Sequence, residues 1–152
     1  MKYTKAKGFT LMEILVVISL LAILATVVMA SYFTSLERGR DSRRKQDLEQ
    51  VGRALELYYF ENNVYPATTL PWGEALTNTG NTKTYMKKLP TDPSDKSNDG
   101  NYKYVYDSNG SYYKLYSCLE NDKDLDYTNY NTNCGTDCQP CHYGISSPDI
   151  AL

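Results

Sequence analysis

One stretch limits this chain more than any other. From Ile14 to Ala30 it runs through apolar residues and two hydroxyls, Ser19 and Thr26, without a charge or a proline. Such a segment belongs in lipid or in a protein core. With Phe9, Leu11 and Met12 it reaches the roughly 20 residues that cross a bilayer. The remainder is its opposite: polar, rich in Asn, Asp, Ser and Thr, with 15 Tyr against 3 Phe. At 152 residues the chain is therefore one modest water-exposed domain behind a membrane-seeking N-terminus. A net charge of −2 speaks against a strongly basic nucleic-acid binder, and no nucleic-acid partner is expected.

Two ordinary readings compete for residues 1–31. A secretory signal peptide has a basic start, an apolar middle and a small-residue cut site. Lys2, Lys5 and Lys7 supply the first, and Val28-Met29-Ala30 passes for the last. A plain transmembrane anchor is the second reading. Neither explains Glu13, because a carboxylate inside an apolar segment costs a few kcal/mol and marks function by default. Its surroundings read Lys7-Gly8-Phe9-Thr10-Leu11-Met12-Glu13, with Glu fifth in the segment that begins at Phe9.

These residues closely resemble the class III signal of type IV pilins and type II secretion pseudopilins. The resemblance implies a prepilin peptidase that cuts after Gly8 and methylates the new N-terminal Phe9. It also implies an inner-membrane assembly platform and a homopolymeric filament as partners. Cleavage exposes an α-amino group that is about half to fully charged near neutral pH. In a filament of packed apolar helices, Glu13 of one subunit can meet the Phe9 amine of the next. Each then relieves the other's burial cost, and a misplaced subunit leaves both unpaired. The implied organisation is a leader over 1–8, an assembly helix over 9–31, an amphipathic second half over 32–62 and a globular domain over 63–152. Many members of the family carry a Pro in the apolar half, which helps the helix melt partly during assembly. This chain has Ala22, Ala25 and Ala30 in that region instead, so that property is not carried over.

One rule fits poorly. Basic residues collect on the cytoplasmic side of a membrane segment, yet Arg38, Arg40, Arg43, Arg44 and Lys45 follow the run, against three Lys before it. The leader must face its peptidase, and that overrides the count.

Leu48, Val51, Leu55 and Tyr58 recur at helical spacing, and Asn62-Asn63 with Pro66 ends the pattern, which predicts a helix from Phe9 to about Glu61. Residues 67–84 are weakly patterned, and Trp72 is expected in a surface loop tucked onto the helix. Tyr102–Tyr106 and Tyr112–Cys118 flank Asp107-Ser108-Asn109-Gly110, a hairpin signal. The fold class is α+β: a long N-terminal helix on a small antiparallel sheet. Leu89-Pro90-Thr91-Asp92-Pro93 and the Tyr-rich hairpin resemble the major pseudopilin of type II secretion. The tail from Cys138 to Pro148 is more similar to that of disulfide-bearing type IV pilins.

Cys118, Cys134, Cys138 and Cys141 all lie in the last quarter. Behind an exporting N-terminus they read as two disulfides, with a zinc site including His142 as the alternative. Cys138-Gln-Pro-Cys141 has redox spacing but lacks the flanking βαβ pattern. Asp122, Asp124 and Asp126 crowd hard oxygen ligands where major pseudopilins bind calcium. However, Tyr127 stands where an EF-hand needs Gly, and Asn133 where it needs Glu. A solvated acidic turn is the preferred reading, and calcium is the one cofactor left open. The tyrosines are expected to cover the sheet. No catalytic constellation stands out, so the chain is not expected to be an enzyme. The expected function is a structural filament subunit, stored in the inner membrane and polymerised into a surface pilus. A periplasmic secretion pseudopilus is the alternative, and a ligand- or DNA-binding minor pilin at a filament tip is a more distant third.

Overall fold

A computed structural model of the chain describes residues 8–66, 69–78, 80, 82–95 and 100–152. The leader lysines Lys2, Lys5 and Lys7 lie outside the described residues. The chain divides into two compact units, Met1–Leu36 and Glu37–Leu152. Its elements are a helix α1 (Leu11–Asn62) and five short strands: β1 (Leu76–Thr77), β2 (Thr84–Met86), β3 (Val105–Ser108), β4 (Tyr113–Ser117) and β5 (Tyr143–Ser146). This is the expected α+β architecture.

In the first unit the helix is apolar on every side. Thr10 starts it, its Oγ1 accepting the Glu13 amide at 3.2 Å. The few hydroxyls inside the apolar run turn back on the backbone: Ser19 donates to the Val16 carbonyl and Thr26 to that of Ile23. A polar side chain that meets its need locally is compatible with a segment built for hydrocarbon.

In the second unit the same helix carries a buried stripe. Leu48, Val51 and Leu55 are fully buried, with Ala54 and Tyr58 beside them. Leu70, Leu76, Leu89, Tyr104, Tyr113 and Leu115 complete this core. Each such leucine contributes about 1.5–3 kcal/mol on burial. Gly52 lets the sheet come close, since a Cβ there would stand 3.1 Å from the Tyr113 hydroxyl and 3.2 Å from Ile145 Cδ1. Asn63, at φ 55°, breaks the helix where the sequence predicts.

The main sheet is antiparallel in the order β3-β4-β5. The hairpin forms two residues later than expected: Ser108 pairs with Tyr113, leaving Asn109–Tyr112 as a four-residue turn. The Asn109 side chain holds that turn by accepting the amides of Ser111 and Tyr112. β5 was not expected at all. It places Lys114–Ser117 opposite Tyr143–Ser146 and makes β4 the central strand. The weakly patterned middle contains the two-stranded pair β1-β2. Trp72 sits in a turn and meets Tyr104 edge-on at 5.5 Å.

Candidate functional site

The residues of the processing signal lie in the first unit. Gly8 has no atom within 4 Å of the position a Cβ would take, so local packing does not require a glycine there. Phe9 is exposed, as are Leu11 and Met12 after it. Glu13 is exposed too. Thr10, unremarked in the sequence, joins this group through its cap on the Glu13 amide. The pattern Thr10-x-x-Glu13 is the signal that could have revealed it. The most apolar 18-residue window of the helix has a mean hydropathy of 2.8, and none of it is buried.

The second unit contains a buried charge cluster that no local motif announces. Arg44 is fully buried on α1 and donates to Asp92 Oδ2 at 2.8 Å and Oδ1 at 2.9 Å. It also pairs with Asp41 and Glu120, each at 2.8 Å, and donates to Ser94 Oγ at 2.9 Å. Asp41 in turn accepts the backbone amides of Glu120 and Asn121. Arg40 closes the far side of Glu120. Burial alone would raise the Glu120 carboxyl, but hydrogen bonds and charge from Arg40 and Arg44 bring it down to about 2. The cluster ties the helix to the Leu89–Pro93 segment and to the loop after β4. A bidentate, fully hydrogen-bonded guanidinium is the form in which a charge can be buried.

Next to it lies the acidic loop. Lys45 Nζ stands 2.5 Å from Asp124 Oδ1 and 2.7 Å from Asp126 Oδ2. Calcium needs six to eight oxygen ligands around one centre. Here the two carboxylates that converge do so on an ammonium, Glu120 is committed to Arg40 and Arg44, and Asp122 is exposed. With the ammonium in place, the donor set does not fit a divalent ion.

The four cysteines form two bonds, Cys118–Cys138 across 20 residues and Cys134–Cys141 across 7. The pairs cross, so Cys138-Gln-Pro-Cys141 is not itself a disulfide. Together with Tyr116, Tyr102 and Tyr130 they make a second small core. His142 lies beside Cys118 and Cys138, its Nδ1 at 3.7 and 3.8 Å from the two sulfurs. A cystine has no thiolate to offer zinc. Nδ1 is 3.0 Å from the Leu119 carbonyl, which makes it a donor, and the ring stacks on Tyr127.

An exposed apolar N-terminal helix and a small disulfide-tied α+β domain are the two parts expected of a pilin-like subunit. Comparison with known proteins narrows the class. The prokaryotic N-terminal methylation motif matches residues 3–29, and the family described as type II secretion system (T2SS), protein G matches residues 31–131. The type II secretion system core protein G of Pseudomonas aeruginosa is 32% identical over 126 residues, 77% of this chain and 85% of that protein. The protein of the same name from Escherichia coli K12 is 33% identical over 100 residues, covering 59% and 67%. The type IV wide pilus major component PilA4 of Thermus thermophilus is 38% identical over 60 residues, 40% and 46% of the two chains. No solved structure matches significantly. The chain belongs to the type II secretion protein G family.

Proposed function

We propose that the chain is the major pseudopilin of a secretion system, the repeating subunit of a short periplasmic filament. The observation that carries this reading is the match over residues 31–131, because that span covers the second half of the helix and most of the globular domain rather than the signal that pilins and pseudopilins share. The sequence by itself leaned toward a surface pilus, on the strength of its disulfides. The core protein G relatives favour the alternative, while the shorter PilA4 match keeps the pilus as the second reading.

In this reading the leader, residues 1–8, faces the cytoplasm, and the prepilin peptidase cuts between Gly8 and Phe9 and methylates the new amine. Residues 9–31 hold the subunit in the inner membrane until the assembly platform adds it to the filament. There the Glu13 carboxylate receives a neighbour's Phe9 amine. Residues 32–62 continue the helix into the domain, 63–152, that forms the filament surface. The exposure of Phe9 and of the apolar helix supports this, since those groups await a partner. The role is structural, with no reaction assigned to the subunit.

Two measurements test it. Mass spectrometry of the mature chain should find it starting at N-methylated Phe9, and a start near Ser31 would overturn the processing scheme. In a strain lacking the subunit, exported enzymes should accumulate in the periplasm while surface filaments persist. Loss of surface filaments with normal secretion selects the pilus.

A further inference from the structure

Oxygen ligands crowd between Glu120 and Asp126, and α1 sends its cations to the same place. Lys45 reaches Asp124 and Asp126 from 79 and 81 residues away in the chain. Its side chain is only 21% exposed, and its ammonium also lies 5.5 Å from the centroid of the Tyr143 ring on β5. The Asp126 amide donates to Asp124 Oδ1 at 2.9 Å, so the two carboxylates belong to one closed turn. We propose that Lys45 is the built-in cation of this loop, holding Asp124 and Asp126 as a bound divalent ion would, so that the subunit folds the loop without metal.

Three observations carry the proposal. A calcium ion sits 2.3–2.6 Å from its oxygens, and the ammonium already stands 2.5 and 2.7 Å from the two carboxylates that converge. A dication placed there would meet a like charge at contact distance. Of the remaining acids, Glu120 is turned away and held by Arg40 and Arg44, and Asp122 does not gather with Asp124 and Asp126 into a metal-sized cluster. Finally, both partners keep their charges. Burial would lower the Lys45 pKa, but the hydrogen bonds to Asp124 and Asp126 raise it overall, and Lys45 holds Asp124 below the usual carboxylate range. A tethered cation is present at any external calcium concentration, whereas a bound ion stabilises only where its free concentration approaches or exceeds its dissociation constant. The inference holds whichever filament the subunit builds, so its failure and that of the secretion reading are separate results.

The test uses the full chain in non-ionic detergent, heated while Trp72 fluorescence is followed, in excess EDTA or in about 10 mM calcium, roughly tenfold above the weakest extracellular sites. The parent midpoint should agree between the two buffers to within about 1 °C. Lys45→Met should unfold earlier in EDTA and regain about 3–5 °C in calcium, because the two carboxylates are then free to take the ion. Lys45→Arg keeps the charge and should remain indifferent to calcium. A parent midpoint that rises with calcium overturns the proposal. So does a Lys45→Met chain that ignores it. Should Lys45→Met not fold in EDTA, recovery of native fluorescence on refolding into calcium supports the proposal, and no recovery overturns it.

Discussion

The two halves of α1 obey opposite rules. Before Leu36 the helix is apolar on all sides, and its large side chains, from Leu11 through Leu24, are exposed. After Glu37 it is studded with charges, yet its stripe from Leu48 to Leu55 is among the most buried parts of the molecule. Among the described residues, the large apolar side chains of the first half are exposed. The second is fitted to the sheet of its own unit at Gly52 and to the neighbouring loops through the Arg44 cluster. The difference teaches that one helix can carry an exposed apolar surface and a buried core stripe if each is confined to a separate stretch.

The largest effect expected is on the assembly half alone. Glu13→Leu should be expressed, cut and folded normally, but as the sole subunit it should lower filament yield by orders of magnitude. A neighbour's amine buried without its carboxylate costs about 3–5 kcal/mol per subunit. Sheared filament weighed against total membrane subunit measures this. Normal yield would show that the first half does not depend on that pair.

On the folding half the largest loss should come from Arg44→Ala, which leaves the Asp92 carboxylate buried without its guanidinium and removes the cation between Asp41 and Glu120. About 3–5 kcal/mol of unfolding free energy is expected to go, read by urea titration of Trp72 fluorescence. The chain has a single Trp, placed in the second unit, so the signal reports on that unit alone.

A matched pair of leucines sharpens the contrast. Leu55→Ala should cost about 2–5 kcal/mol in the same titration. Leu20→Ala should change it by less than about 0.5 kcal/mol, as substitutions outside a core do. Equal losses would mean that the two halves share one folding unit.

The smallest effect is tied to pH. The Glu120 carboxyl is depressed in the folded chain to about 2, against an unfolded value near 4.3. Its contribution is therefore complete above about pH 4.3 and is lost as pH falls toward 2. Glu120→Gln should lie below the parent in stability at pH 6, and the gap should narrow progressively across that window. A gap that stays constant down to pH 2 would remove Glu120 from the cluster's electrostatics.

Some of this was legible without coordinates. The processing signal was read from adjacent residues, the helix stripe from spacing, its end from Asn63 and Pro66, and the hairpin from Asn109-Gly110. Each is a local signal, in which residues a few positions apart share one helix face or one turn. The positive-inside conflict looked like a topological puzzle because a count of Arg40, Arg44 and Lys45 cannot say what those charges face. All three are spent on carboxylates within their own unit, where they answer to the fold.

Local order in the chain thus determined the N-terminal methylation motif and where the helix runs, because covalent spacing alone brings those groups together. Only the tertiary structure decided which of three possible cysteine pairings forms, that Tyr143–Ser146 closes the sheet, and that Lys45 answers Asp124 and Asp126. Those partners are joined by closure of long loops, and such contacts form through the packing of the whole domain and leave no periodic trace in either partner's neighbourhood.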